Sequence, residues 1–248
     1  MDIFTIIMLI AAGLAGGFIN SFSAAGSLFT LPVLLFSGLP ANVANGTNRI
    51  GILFQNIAAV IGYKTKGIPI TKNALLLSAI AAAGAVIGAN CAIDISPEFF
   101  RRFLGTVIIL FLILLIFDPF KKNEVKVTGD NKLLWLNAIV FFGAGVYGGF
   151  IQAGTGFIMM FGCMVIQRMP LPQTNIIKVL AMFSYTIPSL YIFYTNGLVD
   201  IPKGLLVALG MATGSFIGSR WSVSTNQNWV KGIVMSFLVF FAIKLWFF

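Results

Sequence analysis

Ten apolar stretches without charge run through residues 3–22, 27–38, 50–63, 73–93, 103–117, 133–151, 156–167, 179–195, 204–219 and 232–243. They are rich in Leu, Ile, Phe, Ala and Gly and lack the period-two alternation of an outer-membrane strand. A helix needs about 20 mostly apolar residues to cross roughly 30 Å of hydrocarbon, and several runs have that length. The runs at 27–38 and 156–167 are shorter. At about 1.5 Å per residue each reaches only partway across. The pattern predicts an all-α integral membrane protein of ten transmembrane or half-membrane segments.

The segments divide into two sets of five, each opening with a long run, a break of small residues and a short run. Sliding the sequence by 130 residues superposes Gly26 on Gly156, Pro40 on Pro170, Asn45 on Asn175, Gly84 on Gly214 and Gly88 on Gly218. Repeated punctuation of this kind marks a transporter built from internal repeats. Charge then decides between parallel and inverted halves. With each short run counted as a segment, Lys64, Lys66, Lys72, Lys121, Lys122, Lys126, Lys132, Arg168, Lys178, Arg220 and Lys231 face one side, and Arg49, Arg101, Arg102, Lys203 and Lys244 the other. Re-entrant short runs would give nine against seven. The positive-inside rule favours the first arrangement: two inverted five-segment repeats with broken helices, residues 1–117 and 133–248. A hydrophilic linker, 118–132, lies between them and is expected in the cytoplasm.

Composition narrows the chemistry. The chain is 58% apolar and 9% charged, with mean hydropathy +0.97, against roughly 25% charged residues in a soluble domain. A soluble enzyme is excluded. Sixteen basic residues stand against seven acidic ones, but they lie in the gaps between apolar runs, so membrane orientation explains them and nucleic acid is not expected as a partner. Histidine is absent, and Cys91 and Cys163 stand far apart in apolar stretches. No metal site or cofactor is implied. There is no GxxxxGK[ST] loop for ATP. All seven carboxylates fall at segment ends or in loops, which leaves no relay for protons in the interior. No cleaved leader is expected, because Asp2 stands where a basic region would.

Two kinds of feature carry candidate chemistry. The first is the pair of breaks: Asn20, Ser23, Gly26 and Ser27 in GGFINSFSAAGSLF (16–29), and Gln152, Gly154, Thr155 and Gly156 in GGFIQAGTGF (148–157). Non-helical backbone within a bilayer must face protein or a water-filled cavity. The breaks are therefore expected to meet near the midplane, with helix starts at Ser27 and Gly156 favouring an anion. The second is GLPANVANGTNR (38–49), in which Asn45, Thr47 or Asn48 is expected to cap the following helix and Arg49 to sit at its start. Asn175 and Lys178 hold nearly the same places in the second half. A basic residue inside a membrane is by default a functional one. Gly84, Gly88, Gly214 and Gly218 have the spacing of close helix packing.

The run GGFINSFSAAGSLFTLPVLLFSGLPANVANGTNR, with a weaker counterpart in 145–178, resembles the sulfite exporter TauE/SafE family, grouped with the toluenesulfonate uptake permeases. Residues 175–178 read NIIK where that pattern has a small-residue run. The resemblance implies a plasma-membrane (inner-membrane), multi-pass transporter of sulfite, sulfonates or related sulfur-containing anions. The residues themselves describe a cavity for a small anionic substrate, worked by alternating access. A passive anion channel remains the alternative, and a membrane-embedded enzyme is a weaker one, lacking histidine and clustered carboxylates. The expected partners are the substrate and the lipid bilayer, and assembly as a homo-oligomer is left open.

Overall fold

The computed structural model describes residues 1–23, 26–117 and 133–221, together with 236 and 239. The linker 118–132, the tenth segment at 232–243, and Ala24 and Ala25 of the first break lie outside the described residues. Among the described residues the chain is helical, with no strand. The elements are α1 (Ile3–Ser23), α2 (Ser27–Phe36), α3 (Ala41–Lys64), α4 (Lys72–Ile93), α5 (Pro97–Phe117), α6 (Leu134–Phe150), α7 (Thr155–Phe161) with a π-helical turn (Gly162–Ile166), α8 (Leu171–Thr195) and α9 (Ile201–Trp221). Four of these, α1, α4, α8 and α9, are long and apolar enough to cross a membrane by length and composition. The short elements are the expected ones: α2 has 10 residues and Thr155–Ile166 spans 12, about 15 and 18 Å of rise.

The second break is present in full, and Gly26 is the described residue of the first. The first separates Ser23 from Ser27; the second, Ile151–Gly154, separates α6 from α7. Gly154 has φ +81°, a left-handed conformation in which glycine carries no steric penalty.

The expected start of α3 is corrected. Asn45, Thr47 and Asn48 do not cap the helix: Pro40 precedes its first residue, and Ala41 begins it. Arg49 is thus the ninth residue of α3, about 12 Å along its axis rather than at its start. The second half does the same, with Pro170 before Leu171 and Lys178 eighth in α8. Proline supplies a fixed φ and no N–H, which suits the edge of a helix. The Asn and Thr residues are then helical because partners elsewhere in the fold occupy their side chains.

Packing crosses between the halves. Helix α1 lies against α9, and α6 lies against α4; α3 also contacts α9, and α8 contacts α4. Under the 130-residue shift α1 corresponds to α6 and α9 to α4, so each contact has its counterpart. Glycine makes both interfaces. A Cβ at Gly84 or Gly88 would overlap a carbonyl oxygen of α6, at Phe142 or Val146, and one at Gly145 or Gly149 would overlap α4 at Ala81 or Ala85. Likewise Gly214 and Gly218 abut α1 at Leu14 and Phe18, while Gly13 and Gly17 abut α9 at Val207 and Met211. The small-residue spacings thus bring backbones together, as van der Waals association in lipid requires. Large apolar side chains such as Ile61, Leu76, Leu110, Tyr191 and Leu209 point outward, where a bilayer accepts them. Cys163 is buried and Cys91 exposed; both are free thiols.

Candidate functional site

Helices α3 and α8 pack on one another in opposite directions. Arg49, early in α3, lies over the ring of Phe193, late in α8, at 4.3 Å from the centroid. At the other end Tyr63, late in α3, donates to Ser21 O at 2.9 Å, and Lys178, early in α8, donates to Asn20 O at 2.9 Å. This pair carries half of the buried polar and charged residues among those described.

Both cations are fully buried, and among the described residues neither has a carboxylate partner. Their partners are backbone. Nη1 of Arg49 donates to Gly148 O at 3.2 Å and Nη2 to Gly149 O at 2.6 Å, both in the last turn of α6. Asn45 Nδ2 adds a third bond there, to Phe150 O at 2.8 Å. Lys178 similarly binds the last turn of α1. The final carbonyls of a helix lack partners within it and carry the negative end of its dipole, so a cation is favourable there. Each cation therefore closes the broken helix of the opposite half. Carbonyl dipoles offset a full charge only in part, and the Nε of Arg49 has no partner among the described residues.

A chain of buried hydrogen bonds joins the region of the first break to the second. Thr30 Oγ1, in α2, donates to Asn48 Oδ1 at 2.6 Å; Asn48 Nδ2 reaches Gln152 Oε1 at 3.4 Å; Gln152 Nε2 donates to Thr186 Oγ1 at 3.2 Å. Each break also has its own clasp. Gly26 N donates to Asn20 Oδ1 across the first at 3.3 Å, and Tyr147 Oη donates to Ala153 O across the second at 2.7 Å. Thr155 Oγ1 donates to Gln152 O at 3.1 Å.

Of the residues singled out by sequence, Asn45, Asn48, Arg49, Gln152 and Thr155 are joined or neighbouring at the second break, and Gly154 shapes it. Asn20, Gly26, Ser27 and Lys178 gather at the first. Gly156 is buried in the first turn of α7. Asn175 is buried with Oδ1 unpartnered among the described residues. Thr47 is occupied elsewhere: its hydroxyl accepts from Asp200 N at 2.8 Å, before α9. Ser23 ends α1, and its side chain lies outside the described set. Four residues were missed. Gln55 and Asn56 in α3, and Tyr185 and Thr186 in α8, are completely buried, and they correspond under the 130-residue shift. Consecutive polar residues in the middle of an apolar run, repeated in register, were the signal that could have found them. Gln55 and Asn56 have no side-chain partner among the described residues.

The arrangement can hold and desolvate a small anion: it offers positive charge and many N–H and O–H donors, without a buried carboxylate among the described residues. It offers no metal cluster there either.

The sulfite exporter TauE/SafE family profile matches residues 9–245. A probable membrane transporter protein of Sinorhizobium is 26% identical over 243 residues, covering 96% of this chain and 90% of that protein. One of Haemophilus influenzae is 23% identical, with 94% and 91% covered, and one of Bacillus subtilis, YdhB, 23%, with 88% and 89%. No solved structure matches. The chain belongs to the TauE/SafE family and is a multi-pass membrane transporter.

Proposed function

We propose that this transporter carries a small sulfur-containing oxyanion, of the sulfite or organosulfonate class, across the plasma (inner) membrane by alternating access between inverted halves, residues 1–117 and 133–248. Outward movement follows the family's designation as exporters. The observation that carries the reading is the pair of buried cations, Arg49 and Lys178, each hydrogen-bonded only to uncharged carbonyl oxygens among the described residues. Burying a charge without a counter-charge costs several kcal/mol, and a visiting anion offsets that cost. Arginine suits the task, because its planar fork can hold two carbonyls of α6 through Nη1 and Nη2 while its Nε–H and its charge remain for an oxygen of a sulfite or sulfonate group. The substrate-binding set is Asn20, Ser23, Gly26, Ser27, Asn45, Thr47, Asn48, Arg49, Gln152, Gly154, Thr155, Gly156, Asn175 and Lys178. No catalytic group is assigned. The crossed contacts α1–α9 and α4–α6 supply interfaces along which one half can rock against the other.

Purified protein in liposomes loaded with unlabelled sulfite should take up labelled sulfite by saturable counterflow, and methanesulfonate should compete. Flux that neither saturates nor shows counterflow would identify a channel. Absence of flux for sulfite, sulfate, thiosulfate and short sulfonates would overturn the anion reading.

A further inference from the structure

Tyr185 is one of the residues whose position the fold leaves unexplained. It is fully buried on α8, yet its hydroxyl has no hydrogen-bond partner among the described residues. A buried hydroxyl normally finds one, because leaving it unmade forfeits its hydration for nothing. The end of the ring that bears the hydroxyl is held where the site is. A Cβ on Gly148 would stand 2.9 Å from Tyr185 Cζ, and Gly148 O is the carbonyl that Arg49 Nη1 holds. The side chains of Thr155, Gln152 and Arg49 lie close enough to the phenol to interact with it, but none meets the hydroxyl in hydrogen-bonding geometry. Arg49 brings a second unused donor to the same cluster, since its Nη1 and Nη2 are committed to α6 while Nε–H is not.

Resting on the proposed anion transport, we propose that Tyr185 donates a hydrogen bond directly to the substrate oxyanion, beside the Nε–H of Arg49. Two donors that find no acceptor among the described residues are complementary to a ligand with two acceptor oxygens on one centre, as a sulfite or sulfonate group presents. The division of labour within Arg49 follows. Its terminal nitrogens stay on α6, and Nε and the phenol serve the ligand. The second half thus contributes a substrate contact deep in α8, about two turns beyond Lys178 and outside the sequence motif around it. Gln55, the counterpart of Tyr185 in α3, is buried and unpartnered among the described residues too.

The test is Tyr185→Phe, which removes one oxygen atom and keeps the ring that packs on Gly148. Sulfite counterflow in liposomes gives the apparent affinity, and thermal unfolding of the detergent-solubilised protein gives stability. A hydrogen bond to a charged partner implies a loss of affinity of roughly ten- to a hundredfold. The melting temperature should hold or rise, because no internal bond is broken. Unchanged affinity with a lowered melting temperature would place the hydroxyl in the fold itself and overturn the inference. Unchanged affinity and stability would overturn it as well. Arg49→Gln runs alongside. If it loses affinity while Tyr185→Phe does not, the inference fails and anion transport stands; if the parent protein moves none of the oxyanions, both fall.

Discussion

Replacing Arg49 tests the anion site most directly, and the structure sets the scale. Arg49→Gln removes the charge, the bonds to Gly148 and Gly149 at 3.2 and 2.6 Å and the contact with Phe193 at 4.3 Å. For anion binding the loss is that of one partner from a buried charge pair, about 2–5 kcal/mol, which corresponds to between roughly thirtyfold and several thousandfold in affinity. Stability should respond less. Two carbonyls of α6 lose donors, at about 1–3 kcal/mol each, but the cost of burying an uncompensated guanidinium disappears with them. Arg49→Lys keeps the charge and reaches one carbonyl at a time, so about a tenfold weakening is expected. Lys178→Gln should weaken binding less than Arg49→Gln, since a single bond to Asn20 O is lost. The assay is sulfite counterflow across proteoliposomes, with insertion checked by size-exclusion profile and melting temperature. An Arg49→Gln protein that inserts normally and transports with the parent's affinity would refute the reasoning, leaving Arg49 as a helix latch only. A Lys variant equal to the parent would show that a point charge suffices.

Four further outcomes are expected. Gly88→Val should disrupt the α4–α6 contact and lower the melting temperature sharply, because its Cβ would overlap Val146 O, whereas Gly143→Ala, which meets nothing within 4 Å, should be neutral or stabilise by up to about 1 kcal/mol; equal effects would refute the close packing. Asn48→Leu severs the link from Thr30 to Gln152 and should reduce transport and lower stability by about 1–3 kcal/mol, read by counterflow and thermal unfolding. Gly26→Val, whose side chain would overlap Gly16 O and Asn20 Cβ, should abolish transport while leaving membrane insertion intact, as membrane fractionation would show. Impermeant labelling of single cysteines should find both termini outside the cytoplasm and Lys121–Lys132 inside, and an interior N-terminus would sink the inverted arrangement.

Apolar runs and small-residue breaks were legible because hydrophobic length and glycine punctuation are local properties. The glycines of α4 and α9 were legible for the same reason. The interior of α3 was not. Residues 41–48, ANVANGTN, read as an entrance loop with a cap, since Asn, Gly and Thr are poor helix formers in isolation. Their side chains are instead taken up by groups distant in sequence: Asn45 by Phe150 O, Thr47 by Asp200 N, Asn48 by Thr30 and Gln152. No local rule anticipates such partners. Arg49 and Lys178 stood out as membrane cations, but their attachment to helix C-termini in the opposite half depends on how the halves meet. Gln55, Asn56, Tyr185 and Thr186 escaped notice because they carry no charge, although their shared register was in plain view.

The latches also impose an order on biosynthesis. Lys178 is made long after α1, so its acceptor, Asn20 O, is already in the membrane when it arrives. Arg49 has the reverse history: Gly148 and Gly149 lie about 100 residues downstream, and at roughly 5–20 residues per second the ribosome needs about 5–20 s to reach them. Helix α1 waits longer for α9, whose first residue, Ile201, follows Ser23 by 178 positions, about 9–36 s at the same rate. Until then a guanidinium must be held at the lipid–water boundary or by the insertion machinery, and the glycine groove of α1 must face lipid. The nascent chain therefore passes through a period in which its first half is threaded but unlatched.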